Sequence, residues 1–259
     1  MIDFHNHLIP GVDDGAADVE QAVAGLAVFR EQGVHTAVAT PHVNGSLTRT
    51  PDALAARLAE LDAGWAALEA AAEGSGVRVL RGAEIMLDVP APDLSDPRLR
   101  LAGTQAVLVE FPFMNVPPNA LQALFELRMA GWMPVLAHPE RYGNAALDLS
   151  DAAEWRRMGA ALQVNAGSLL GRYGKSASVL AWGLVEHGLA AYLASDYHAR
   201  GRCAVAECRA ELEQRGGEHH ARLLLEENPR RMLEGEPPLP VPPLLPPRPF
   251  WKRILRLGA

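Results

Sequence analysis

Two histidines separated by one residue open the chain, in Asp3-Phe4-His5-Asn6-His7, with Asp13-Asp14-Gly15 close behind. In an extended strand, residues two apart project from one face. His5 and His7 then present two imidazoles side by side, which suits a divalent metal. A His-x-His pair alone is weak evidence, so its meaning depends on the other ligands the chain brings to it. Candidates recur at one kind of place, the end of a short apolar run. His42 stands in Thr40-Pro41-His42, Glu84 in Gly82-Ala83-Glu84 and Glu110 in Leu108-Val109-Glu110-Phe111-Pro112. His138 stands in Ala137-His138-Pro139-Glu140-Arg141, and Asp196 and His198 in Ser195-Asp196-Tyr197-His198, while the run before Asn165 offers only that amide. The histidines and carboxylates are nitrogen and oxygen ligands suited to Mn, Zn or Fe. One metal takes about four ligands, so this set implies two or three metals, with a carboxylate such as Glu84 bridging. Singly, each residue has an ordinary reading: a carboxylate after a strand is more often a satisfied polar group, and a lone histidine is as often structural. Metal-type chemistry at the end of six of seven strands is not explained that way.

Bringing these residues together requires the strand ends to meet. Residues 2–5, 35–40, 77–85, 106–111, 134–137, 161–165 and 189–194 read as seven apolar strands. Apolar spacing predicts a helix over 19–32, stopped by Gly33. Thr50-Pro51 predicts an N-cap and first turn for a helix reaching residue 73. Further helices are expected over 119–130, 150–158, 175–187, 204–215 and 218–233. Apolar strands separated by helices imply an α/β protein with a parallel sheet. Seven such units favour a closed or nearly closed barrel, an open doubly wound sheet being the alternative. In a parallel barrel the strand ends share one rim, where active sites lie. Five of the nine histidines fall there; His35, His187, His219 and His220 read as structural or solvated.

The 259 residues are 49% apolar, enough for a sizeable core. A formal net charge of −7 argues against general nucleic-acid binding. Two cysteines, Cys203 and Cys208, make neither a disulfide framework nor a cysteine-rich zinc site. No basic and apolar leader opens the chain, and no apolar run approaches the roughly 20 residues of a membrane span; a cytoplasmic setting is expected. From about Gly235 the composition changes. Eight prolines from Pro237 to Pro249 exclude a helix or central strand. A catalytic unit over 1–235 is therefore expected to be followed by an extended linker and tail over 236–259. The tail ends in Phe250-Trp251-Lys252-Arg253-Ile254-Leu255-Arg256-Leu257, whose basic and apolar residues suit an anionic membrane surface or a partner.

Taken together, these motifs resemble the PHP (polymerase and histidinol phosphatase) family of metal-dependent phosphoesterases. Within it, the similarity is to the bacterial tyrosine-protein phosphatase branch that acts with capsular and exopolysaccharide kinases. Gly167-Ser168-Leu169 belongs to the same series of motifs, which spans roughly residues 1–235 in order. The resemblance implies a distorted (β/α)7 barrel in a single domain and a trinuclear site, often holding manganese, with iron, zinc or cobalt as alternatives. By the family pattern His5, His7, Glu84 and Asp196 hold one metal; Glu84, Glu110 and His138 a second; Asp14, His42 and His198 a third. Asp13 competes with Asp14 for its role. The implied substrate is a phosphotyrosine protein, a membrane-associated tyrosine kinase, met at the inner face of the membrane. Metal-activated hydroxide would attack phosphorus in line with the departing tyrosyl oxygen. Arg141 can grip a phosphate oxygen with paired donors, its other reading being a salt bridge to Glu140. Arg202 is a candidate second clamp, with Arg200 as its alternative. A histidinol-phosphate type of small-molecule phosphatase and a non-catalytic metal-binding scaffold are the competing functions. The stretch from Cys203 to Arg209 fits the letters Cys-x5-Arg of cysteine-dependent tyrosine phosphatases. It has no glycine for a phosphate cradle, carries Glu207 where phosphate would sit, and reads as helix.

Overall fold

The computed structural model describes residues 1–143 and 147–244. Its strands are β1 Ile2–Asp3, β2 Thr36–Ala39, β3 His42–Asn44, β4 Arg78–Arg81, β5 Glu84–Met86, β6 Ala106–Glu110, β7 Met133–Ala137, β8 Ala161–Asn165 and β9 Ala190–Ala194. The helices are α1 Val19–Glu31, α2 Pro51–Ala72, α3 Ala120–Met129, α4 Leu149–Arg157, α5 Ala166–Leu169, α6 Lys175–Glu186, α7 Val205–Gln214, α8 Glu218–Arg222 and α9 Asn228–Leu233. Every strand pairing is parallel, as the alternation of apolar strands and helices predicts.

The strands form two sheets, ordered β1-β2-β4 and β3-β5-β6-β7-β8-β9. The expected strand over 77–85 is broken at Gly82-Ala83, and the expected strand over 35–40 ends at Ala39, with an additional short strand, β3, beginning after Thr40-Pro41. Pro41 has no N–H to give a ladder. A Cβ on Gly82 would come within 3.1 Å of Val38 and 3.3 Å of Thr40, so glycine eases the close approach of the two runs there. Single bonds carry the chain across the step: Gly82 N donates to Ala39 O at 2.9 Å and Glu84 N to Pro41 O at 3.0 Å. At the other margin β1 and β9 do not pair as strands. The residues after them meet in one bridge, Asn6 with Tyr197, supported by His7 N to Tyr197 O at 2.9 Å and Asp196 N to His5 O at 2.8 Å. The expectation of a closed seven-stranded barrel is thus corrected: among the described residues the ladder is split and does not close, while the parallel α/β architecture stands.

Alternation along the strands sorts their side chains into two apolar layers. Ala106, Leu108, Val135, Ala137, Tyr192 and Ala194 pack with Phe4 and Val38 on one face. Val107, Val109, Leu136, Leu162, Val164 and Leu193 pack on the other, against the helices. A parallel sheet covered on both faces needs this double burial. Glu110 shares the parity of Ala106 and Leu108, which turns it to the inner face.

Local departures have local causes. Asp18 caps α1 by accepting from Gln21 N, whereas Thr50 precedes Pro51 of α2 without a side-chain cap bond. The expected helix over 218–233 contains a π-turn, Leu223–Glu227, just before Asn228-Pro229, where proline removes an N–H from the ladder. The expected helix from residue 204 starts at Val205, and β3 and α5 were not expected. Residues 237–244 run without regular structure against the domain. Leu244 N donates to Glu186 O at 3.0 Å, and buried His220 meets Pro242 O at 2.9 Å. The basic and apolar end, 250–257, lies outside the described residues. No helix of the described residues is long and apolar enough to cross a membrane.

Asn228 ties this C-terminal segment to β9. Its amide donates to Ala191 O at 2.9 Å and Leu239 O at 3.1 Å, and it accepts from Leu239 N at 2.8 Å. Asn228→Ala strands these buried groups and is expected to destabilise the protein by about 2–3 kcal/mol. Urea unfolding measures it; a loss below about 0.5 kcal/mol would show that the segment is not held by this residue.

Candidate metal centre

Glu84, the first residue of β5, is fully buried, and imidazoles surround it. Its Oε1 lies 3.2 Å from His5 Nε2 and 3.1 Å from His138 Nε2; its Oε2 lies 3.1 Å from His42 Nδ1 and 3.6 Å from His7 Nε2. Asp196 Oδ1 stands 3.4 Å from Nε2 of both His5 and His7. Glu110 reaches His42 at 3.4 Å and His138 at 3.9 Å. Asp14 Oδ1 reaches Nε2 of His42 at 3.5 Å and of His198 at 3.3 Å. The nine metal-ligand candidates of the sequence therefore sit in one continuous cluster. Ligand atoms within 4.8 Å of one another form four overlapping groups: His5, His7 and Asp196; His5, Glu84 and His138; His42, Glu84 and Glu110; and His7, Asp14, His42 and His198.

The backbone explains how they arrive. The register opposes His42 to Glu84 across β3 and β5, and places Glu110 beside Met86. His138 follows Ala137 and by alternation belongs on the opposite face. It turns inward because its φ is 34°; Asp196 likewise has φ 51°. Left-handed backbone is strained in residues other than glycine and gathers at functional sites. Gly15 is needed for close approach, since a Cβ there would lie 2.0 Å from His7 O.

The surrounding hydrogen bonds orient the rings. His5 Nδ1 donates to Gln163 Oε1 at 2.8 Å, His7 Nδ1 to Asp13 Oδ2 at 2.8 Å, and His198 Nδ1 to Asp196 O at 2.9 Å. Each bond leaves the Nε2 lone pair facing the cluster, as a metal requires. Asp13 and Asp14 thus separate: Asp13 is an outer partner, also accepting from His42 N, and Asp14 faces the cluster. Gln163 was missed in the sequence. Its signal is a polar residue sharing the parity of Asn165 in a buried strand, and it donates to that residue, which in turn donates to Asp196 Oδ2 at 2.8 Å.

The cluster is built for positive charge. His5 Nε2, His7 Nε2 and Glu84 Oε2 are buried and lack any bond of hydrogen-bonding geometry, a costly state unless a cation satisfies them. Burial opposes protonation of His5, yet Glu84 and Asp196 raise its pKa to about 10. Burial also opposes protonation of His42, which Glu110 and Glu84 raise to about 11. Burial favours the neutral acid at Glu84, but His5, His138 and His42 hold it well below the usual range. The donor set, its orientation and its charge fit divalent metals.

A cleft of about 310 Å³ opens beside Asp196 and His198. Arg141 Nη1 donates to Asp196 Oδ2 at 2.5 Å, and its guanidinium stacks 4.2 Å from the Tyr173 ring. It does not pair with Glu140, a buried carboxylate that accepts from Asn165 N at 2.9 Å and Ser168 Oγ at 2.6 Å. Arg202, largely exposed, lines the same cleft and bonds Glu207; Arg200 reaches Asp14 Oδ2 at 3.2 Å. Arg172, not singled out in the sequence, lines it too. Cys203 precedes α7 and Cys208 lies within it, so the stretch is not helix throughout. Both thiols are buried, which pushes each up to about 12, the opposite of an activated nucleophile.

A family model described as capsular polysaccharide synthesis, CpsB/CapC, matches residues 1–234. Tyrosine-protein phosphatase YwqE of Bacillus subtilis (strain 168) is 34% identical over 200 residues, covering 76% of this chain and 77% of its own. The putative tyrosine-protein phosphatase CapC of Staphylococcus aureus is 29% identical over 202 residues, with 77% of each chain covered. A solved structure, described under YwqE from Bacillus subtilis and CpsB from Streptococcus pneumoniae as unique metal-dependent tyrosine phosphatases, matches with a TM-score of 0.77. It is 32% identical and covers 96% of this chain and 100% of that one.

Two outcomes are expected. Glu84→Ala removes the carboxylate common to two of the groups and should lower bound Mn²⁺ by more than one ion per chain in elemental analysis. Full retention would show that Glu84 is not a ligand. Loading stripped protein with Mn²⁺ should release protons, because His5 and His42 keep theirs up to about 10 and 11 and a metal needs the neutral ring. Affinity should rise with pH between 6 and 9, by up to roughly ten-fold per unit for each proton displaced. Calorimetry in two buffers of different ionisation enthalpy counts the protons, and equal heats would contradict a protonated cluster.

Proposed function

The chain belongs to the CpsB/CapC family of capsular polysaccharide synthesis, and on that premise we propose that it is a metal-dependent protein-tyrosine phosphatase acting in the control of capsule or exopolysaccharide synthesis. The observation that carries this reading is a set of buried, outward-bonded imidazoles and a shared carboxylate beside an arginine-lined cleft. The physiological substrate is a phosphotyrosine protein, a tyrosine kinase at the inner face of the membrane. The catalytic unit is 1–235, and the tail over 236–259 provides contact with the membrane or with that kinase.

His5, His7, Glu84 and Asp196 would hold one metal, Glu84, Glu110 and His138 a second, and Asp14, His42 and His198 a third, with manganese the natural occupant. Bound there, such ions supply a nucleophilic hydroxide at neutral pH and neutralise charge on the phosphoryl oxygens. The chain's own residues do the rest. Gln163 and Asp13 hold His5 and His7 in the tautomer that offers Nε2. Arg141, steadied by the Tyr173 ring, presents paired donors to the phosphate. Arg200 or Arg202 supplies a second guanidinium from the loop after His198. The leaving tyrosyl oxygen has a pKa of about 10, so its departure does not require a strong acid.

Phosphate release is measured with Mn²⁺ from a phosphotyrosine peptide and from histidinol phosphate. The peptide should be preferred, with turnover abolished by EDTA and unchanged by thiol alkylation. Arg141→Ala should lower kcat/KM by about 100-fold. Preference for histidinol phosphate would make the protein a small-molecule phosphatase. Metal binding without turnover of either would leave a scaffold.

A further inference from the structure

Arg172 has no role in the phosphate contacts proposed above, and its charge is only half matched. It follows Gly171, two residues beyond the end of α5, and reaches across the cleft to the loop after His198. One of its nitrogens donates to the backbone carbonyl of Arg202; another lies 2.9 Å from Glu207 Oε2. Glu207 gives its other oxygen to Arg202. One carboxylate therefore serves two guanidiniums. The remaining two arginines of the cleft, Arg141 and Arg200, pair with Asp196 and Asp14. Those carboxylates belong to the candidate metal centre, and divalent cations there would draw their charge away from the arginines. Four guanidiniums thus face the cleft against a single carboxylate that is theirs alone. In a chain of formal net charge −7 this is a local reversal of sign, and a concave wall focuses such a field.

Resting on the phosphatase reading above, we infer that this cleft is a second anion subsite: it takes a carboxylate or phosphate on a residue flanking the phosphotyrosine, with Arg172 as its anchor. Arg141, the metals and the guanidinium from the loop after His198 occupy the scissile group, and Arg172 stands along the same wall for the neighbour. The enzyme then selects phosphotyrosine in acidic or multiply phosphorylated sequence. Arg172 also braces the backbone of Arg202, so a loss of rate in a variant would not by itself distinguish binding from bracing.

The test reads binding. Fluorescence anisotropy with the Mn²⁺-loaded full chain compares peptides carrying a non-hydrolysable phosphonate analogue of phosphotyrosine, flanked by alanines, glutamates or a second phosphotyrosine. The glutamate peptide should bind roughly 3- to 10-fold tighter than the alanine peptide, and this ratio should shrink in 0.5 M salt. The third peptide tells whether phosphate outranks carboxylate. Arg172→Ala should bring the ratio to about 1, with kcat/KM for p-nitrophenyl phosphate, which has no flanking residue, within about 2-fold of wild type. Arg172→Lys should keep part of the ratio. Equal affinities in the wild type overturn the subsite, as does a preference that survives Arg172→Ala. Should Arg172→Ala not fold, the wild-type ratio, its salt dependence and Arg172→Lys decide the matter. A wild type that turns over no phosphotyrosine peptide defeats the phosphatase reading instead.

Discussion

A carboxylate taken out of water must be neutralised where it lies, and Glu84 sets that demand for the whole rim. Its two oxygens are approached by four imidazoles, from β5's neighbours and from the chain after β1 and β7. The ring of His42 depends on a break in the ladder. The step at Pro41 and Gly82 shifts the ladder so that His42 opposes Glu84 directly. What reads topologically as a defect, one sheet split into two, is the device that places a histidine against the buried charge. Phosphoryl-transfer chemistry then asks little more of the scaffold than that this concentration of ligands be held still.

Around the ligands lies a layer of amides and carboxylates whose work is orientation. Gln163, Asn165 and Asp13 make no approach to substrate, yet each fixes which atom of its neighbour faces inward. Their burial limits alternatives: a ring that turned over would leave a second polar atom without a partner. Glu140 does the same for the loop carrying Arg141, binding Asn165 N and Ser168 rather than its neighbour's guanidinium. The rings are therefore held in one orientation, while the arginines of the cleft lie on the exposed side of the cluster.

The members of the cluster were legible because they stand at strand ends, where parallel topology gathers them. Glu110 could be assigned to the inner face by parity alone. His138 could not, because its inward turn depends on a left-handed backbone that no propensity predicts. The step was hidden for a related reason: Pro41 reads as the exit of one strand and Gly82 as the interior of another, and only the pairing of distant strands reveals them as one step. Asp13 and Asp14 were indistinguishable by type and became distinct through a single 2.8 Å bond to His7. Arg172 escaped notice because its meaning comes from Glu207, which it meets only after folding. Identity and periodicity are local, and the missed features are all long-range.

The seam between the first and last strands has a consequence for the order of synthesis. Asp3 accepts from Ser195 N across 192 residues of sequence, and the single bridge that follows joins Asn6 to Tyr197. The histidines that begin the site leave the ribosome long before the residues that complete it. A nascent chain halted before Ser195 has none of the closing bonds and lacks both Asp196 and His198. Non-local closure of this kind is late by its topology. An interrupted chain therefore lacks the seam and two members of the cluster, and the full ligand set exists only once Asp196 and His198 have been made.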